Sequence, residues 1–440
     1  MLKYKLIISF LFLLYISIGI GRMANAEVNL EILLQAVYDN SPGIKASEKG
    51  IERFMLEQNR SKYNFFPDLQ FDYRNRNNRG LFVDPSTNIL SRDIVFGNHA
   101  FLSSEITIFN GFYNHHYREL SRVRVEVAEL RTELEKQSIA RKVAVAYFTI
   151  GLLKEEISRL EKLIEQYSLL ERFTSARVES GLLHSRDIAL IRAEVAEINY
   201  KILESRIMID NQVIFLQQNS GLSGWEAEDL EFDSFFEMLE EIDDLTAPVD
   251  ADASQIPIVS YYEALERAAG YSLKMRRAES YPSLKAEGII GTRTSTLGED
   301  PFSSQFSNNN YQQIGLLLNV PIFNRLHYKT AIEQAKVDIE VLAYEKQAVT
   351  DAFQLELTAL GSSLNLLKRR LEVYEVRSEA LEMQYEFIFE KFHRGLSDIL
   401  DLSQIRHDLT ELQSDKLQTQ IELLKKTIDM NFLKGEIYFD

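Results

Sequence analysis

Few side chains in this sequence could react, and several could titrate or hold charge at set places. There is no cysteine and there are seven histidines. Thiolate metal sites, disulfides and lipid attachment through a cysteine are therefore excluded. No nucleophile motif, phosphate loop or zinc spacing occurs, so the chain does not read as an enzyme and no cofactor is expected. His115 and His116 stand together at an expected helix start, but adjacent residues leave a helix on different faces and make a poor metal pair. His184 and His393 sit beside Gly181 and Gly395, where an imidazole titrating near neutrality could act as a pH-sensitive latch. Asp187 and Asp401 hold matching places 214 residues apart, six positions after those glycines. There an acid can serve the positive end of a helix dipole.

That separation of 214 recurs along the chain. Ile108-Phe109-Asn110 returns as Ile322-Phe323-Asn324, Gly181 as Gly395, Ile191-Arg192 as Ile405-Arg406, and Gly221 as Gly435. Phe66-Pro67-Asp68-Leu69 matches Tyr281-Pro282-Ser283-Leu284 one residue off register. An ordered set at one spacing, far longer than a solenoid repeat, implies duplication of a half-domain. The eight prolines leave 86–247 and everything after 321 free of helix breakers. In those stretches apolar residues step by three and four, as in Leu120-Val123-Val127-Leu130-Leu134 and Leu360-Leu364-Leu367-Leu371-Tyr374. This is a supercoiling seam. One helix is expected over 112–179, about 100 Å at 1.5 Å per residue, with shorter ones over 30–62 and 183–219. The second half repeats the scheme over 257–279, 326–393 and 397–434.

Four segments of about ten residues alternate instead with period two. Leu69, Phe71 and Tyr73 oppose Asp68, Gln70, Asp72 and Arg74, while Leu102, Ser104, Ile106 and Ile108 oppose Ser103, Glu105 and Thr107. Leu284, Ala286, Gly288 and Ile290 oppose Lys285 and Glu287, and Ile314, Leu316, Leu318 and Val320 oppose Gln313, Gly315 and Asn319. One apolar and one polar face suits a tilted strand between outer-membrane lipid and water, or a soluble hairpin with one buried face. In lipid, four strands leave two open edges at several kcal/mol per unpaired group, so several copies must pool them to close a barrel. The two Ile-Phe-Asn joints, with Phe109, Asn110, Phe323 and Asn324, are then where a membrane strand passes into a helical wall.

Lys3 and Lys5, an apolar run over 6–20 and Ala24-Asn25-Ala26 read as a cleaved signal peptide over 1–26. The expected plan is a first repeat over 27–220, an acidic linker over 221–256 and a second repeat over 257–440. The linker carries twelve acids and no Lys or Arg, with Trp225, Phe232, Phe235 and Phe236 among them. The formal charge of −17 becomes −20 once Lys3, Lys5 and Arg22 are removed. Such a surface repels nucleic acid and anionic lipid and would tolerate or favour cationic cargo.

These features resemble the TolC family of outer-membrane efflux and secretion channels. The resemblance spans the chain after the signal peptide and rests on "LLQAVYDNSP" (Leu33–Pro42), the Pro-x-Leu strand starts, the two Ile-Phe-Asn joints and the two glycine turns. It implies a mixed α/β membrane protein with two structural repeats per chain. Three copies would form a 12-stranded β-barrel, four strands from each, continued by a long periplasmic α-helical barrel. It also implies a periplasmic adaptor and an inner-membrane transporter as partners, and outer-membrane lipid around the strands.

In such proteins the turns at Gly181 and Gly395 form the periplasmic tip, and acids after the second glycine line a closed entrance. Asp401 holds the first such place and Gln404 the second, so one acidic ring is missing. Asp187 holds the corresponding place in the first half. The tyrosine and arginine that lock the best-known members are replaced by Phe392 and Ser397, leaving Arg394, Arg186 or Asp398 as substitutes. In a trimer, three Asp401 carboxylates on a narrow axis would repel one another and attract cations; the alternative is that Asp401 and Asp187 are ordinary helix-start acids. Three functions stay open: an exit duct for drugs, toxic compounds or metal ions; the outer-membrane part of a type I protein secretion system; or a periplasmic coiled-coil scaffold.

Overall fold

Proline placement decides where the helices run. In the computed structural model, which describes residues 28–84, 87–92, 94–232, 257–298 and 300–434, helix α1 spans Leu30–Asn40 and α2 Pro42–Tyr63. The single helix expected over 30–62 is therefore two. Pro42 drives the preceding residue out of helical space, and Ser41 has ψ 123°. The expected signal peptide, Phe235, Phe236 and Gly435 lie outside the described residues.

Strands β1 (Gln70–Asn78), β2 (Phe82–Val83), β3 (Leu90–Ser91) and β4 (Val95–Asn110) follow, then α3 (Tyr113–Glu179) and α4 (Ser185–Ser220). After the linker come α5 (Pro257–Ala278), β5 (Ser283–Ser295), the short α6 (Phe302–Asn308), β6 (Asn310–Asn319), α7 (His327–His393) and α8 (Ile399–Lys434). Both α3 and α7 run for 67 residues, about 100 Å each. No helix among the described residues is long and apolar enough to cross a membrane.

The chain divides into two units. The first, Glu48–Arg131 with Pro257–Val349, contains a four-stranded antiparallel sheet in the order β1-β4-β5-β6. Cross-strand register brings the expected faces together. Phe71, Leu102 and Ile290 align in one row, and Ala286 and Leu316 in another. The apolar face is open: Ile314 is 92% exposed, and Phe71, Leu316 and Leu318 are also exposed. On the other face Asp72 and His99 accompany Arg74 and Arg293, whose guanidinium groups stack on Phe101 and Tyr311 at 4.8 and 4.6 Å. Lys285 pairs with Glu105 at 2.8 Å on that same face. A bulge between Thr107 and Phe109 shifts the β4–β5 register, so Ile108 has no partner in it. β1 and β6 are the sheet's edges, and neither pairs with a further strand among the described residues.

The second unit comprises Met1–Ser47, Thr132–Ile256 and Thr350–Asp440. The seam residues Leu160, Leu360, Leu364 and Leu367 are buried here. The largest cluster joins Leu33, Leu34 and Val37 of α1 to Ile150 and Leu153 of α3, Leu216 of α4 and Leu424 of α8. The first part of the linker belongs to it. Trp225 is buried, and Phe232 lies against Gly151, where a Cβ would stand 2.9 Å from its ring. Glycine at 151 admits that ring. Leu355, Leu366, Val373, Val376, Met383 and Phe387 form a second apolar stripe along α7, and all are exposed.

Candidate gate at the paired helix turns

Both long helices end in the same way. Gly181 has φ +75° and Gly395 +76°, the left-handed region in which glycine bears no Cβ penalty. Leu182 N–H donates to Arg177 C=O at 2.9 Å, and Leu396 N–H to Lys391 C=O at 2.8 Å. Each turn is a Schellman closure that satisfies carbonyls the helix leaves open. Leu182, Leu396 and Leu400 are exposed beside these turns.

Two arginines tie the turns together. Arg177, near the end of α3, donates to Phe392 C=O at 3.1 Å and His393 C=O at 2.5 Å. It thus places a cation on the negative end of α7. Its guanidinium also covers Phe173 at 4.6 Å, and the Phe173 ring stacks on His393 at 4.7 Å. Arg186 lies 3.4 Å from Asp187 Oδ1 and 3.5 Å from Asp398 Oδ2, linking the starts of α4 and α8. Sequence reading missed Arg177, because its partners are backbone atoms 215 and 216 residues away.

The two matched acids have different surroundings. Asp187 is 2% exposed, and its Oδ2 accepts from His184 N–H at 3.0 Å, capping α4. Asp401 is exposed, and its Oδ2 accepts from the Ser397 hydroxyl at 2.7 Å. Asp398 and Gln404 are exposed as well, and Gln404 donates to Asp408 at 3.0 Å. Arg394 pairs within its own helix end with Glu390 at 3.4 Å. Phe392 is buried in the cluster formed with Leu160, Tyr167, Ile191 and Leu402. Asp401 and Asp398 are therefore open to solvent at the turns, while Asp187 is committed to its own helix.

The two strand–helix joints share one geometry. Gly111 and Phe112 have φ +65°, and their counterparts Arg325 and Leu326 have +58° and +65°. Asn110 accepts from Asn114 N–H at 3.4 Å, and the rings of Phe109 and Phe112 meet edge to face at 5.4 Å. Asn324 uses its backbone carbonyl, accepting from His327 N–H at 3.2 Å, and Phe323 is exposed. Beside the first joint, burial and then the charges of His115 and Lys274 lower the pKa of His116, which favours neutral imidazole.

Residues 257–435 match the family described as outer membrane efflux protein. No curated protein matches the chain significantly. Among solved structures it resembles CusC, a protein studied for transmembrane channel formation, with 13% identity and TM-score 0.78 over 94% of this chain and 95% of that one. It also resembles the outer membrane protein VceC of Vibrio cholerae, with 14% identity and TM-score 0.76 over 92% and 96% of the two chains. The CmeC outer membrane channel of Campylobacter jejuni gives 14% identity and TM-score 0.74 over 92% and 85%. The fold is that of the TolC-family channels.

Proposed function

We infer that this chain, TolC-like in fold and bearing an outer membrane efflux protein domain over its second half, is the exit duct of an efflux system in the bacterial outer membrane. It is a channel, not an enzyme, and its helices extend into the periplasm. Small molecules (drugs, toxic compounds or metal ions) pass through it passively, delivered by an inner-membrane transporter and a periplasmic adaptor.

One observation carries the reading: the four-stranded sheet exposes an apolar face and leaves both edges unpaired among the described residues. In hydrocarbon an open edge costs several kcal/mol per unsatisfied group, so the sheet needs copies of itself. A homotrimer closes twelve strands into a barrel with Arg74, His99 and Arg293 inside. The exposed stripe of α7 is then covered by a neighbouring subunit, as knobs-into-holes packing requires. At the tip, Arg177 and the Arg186–Asp398 pair hold the turns of each subunit together, and three Asp401 carboxylates converge at the entrance.

Purified protein in planar bilayers tests both levels. The wild type should run as a heat-resistant trimer and give discrete single-channel steps. D401A should raise the closed-state conductance several-fold and weaken block by magnesium, because a charged ring is removed. A monomer without conductance sinks the duct. Wild-type currents from a folded D401A trimer sink the gate alone.

A further inference from the structure

Beyond the turns, α4 and α8 bring together three metal-ligating side chains that the gate does not use. Glu194 and Glu197 of α4 and His407 of α8 each present one donor atom, and the three atoms lie within 4.8 Å of one another. We propose that they form a divalent transition-metal site, with Zn²⁺ its fitting occupant, that fastens α4 to α8 roughly 12–18 Å along the helices from their starts.

The donor chemistry fits. Glu-x-x-Glu puts two carboxylates on one helix face. Two carboxylate oxygens and one imidazole nitrogen make a three-ligand set for Zn²⁺, with bonds of roughly 2.0–2.2 Å and a fourth position for water. Glu197 is exposed and has room to close the remaining distance. The Ser403 hydroxyl donates to Glu194 Oε1 at 2.9 Å, the kind of outer support that orients metal-binding carboxylates.

A second observation points to a missing occupant. Tyr167 is 4% exposed, and its hydroxyl has no hydrogen-bond partner. It lines the same cavity of about 10 Å³ as Glu194 and Ser403, room for one water-sized molecule. A water held in that cavity beside Glu194 would give the hydroxyl an acceptor. The neighbouring cations leave the site available. Arg406 is engaged by Gln166 at 3.2 Å and by the Tyr385 ring at 3.8 Å, and Lys201 lies 3.8 Å from Glu197, a loose pair that an ion can displace.

Zinc binding at this site does not depend on the chain being a duct. Full-length protein in detergent, stripped with chelator, is dialysed against Zn²⁺ and the bound metal is measured. Wild type and D401A should each retain a single ion per chain, which separates this site from any ring at Asp401. H407A should lose it, and E197Q, at an exposed position, should weaken binding on the order of tenfold or more. Equal binding by wild type and E197Q, or none by wild type, overturns the site. Zinc retained by a protein without conductance would leave the site standing and remove the duct.

Discussion

Replacing Gly111 with valine is expected to strip folded protein from the membrane fraction. Gly111 has φ +65°, and a Cβ there would stand 2.6 Å from Ala278 C=O and 2.8 Å from Tyr281 Cβ. The left-handed backbone costs a β-branched residue roughly 1–2 kcal/mol. Forcing atoms into a packed joint adds about 1–3 kcal/mol. Together these amount to about 2–5 kcal/mol, a large part of the stability of an ordinary domain. Trimer yield on gels and the thermal midpoint in detergent measure the loss. Gly270 is the control: it is helical with nothing within 4 Å of a Cβ, so G270A should gain about 0.5–1 kcal/mol. A G111V trimer as stable as wild type would show that the joint is looser than this geometry allows.

The second large effect is expected from Arg177→Ala. It removes two charge-assisted hydrogen bonds to the last carbonyls of α7 and the cover over Phe173. Hydrogen bonds to charged groups contribute about 1.5–3 kcal/mol, and partial exposure of this pair favours the lower figure. The loss falls on the link between the ends of α3 and α7. Limited proteolysis should therefore cut R177A at the Arg394–Ser397 turn many times faster than wild type, with global stability little changed. Resting conductance should rise with it. R177K should fall between the two, since an ammonium cannot fork to two carbonyls as a guanidinium does. Unchanged cleavage and conductance in R177A would place the latch elsewhere.

Much of this architecture was legible because the duplication repeats its own punctuation. The paired Ile-Phe-Asn tripeptides located both strand–helix joints, although nothing in Arg325 hinted at its left-handed backbone. The strand faces followed from alternation alone. The break at Ser41 was also present, in Pro42, but the run of apolar residues on both sides masked it. Other features had no local signature. The bulge at Thr107–Phe109 depends on the partner strand β5. The exposed stripe of α7 is hidden behind the buried seam, since a helix that serves two neighbours carries two apolar periods on one sequence. Asp187 and Asp401 are indistinguishable by position. What separates them is that one meets His184 N–H in a buried pocket and the other a serine hydroxyl in solvent.

The two bare margins of the sheet make each subunit hostage to its neighbours. A copy that cannot pair at β1 or β6 does not simply drop out, because its sound companions are spent beside it. In the proposed trimer, intact and margin-defective copies made in equal amounts and assembled at random leave about one ring in eight wholly intact. Defective protein equal in amount to the sound protein would then silence about seven pores in eight, and a single faulty allele would behave as dominant.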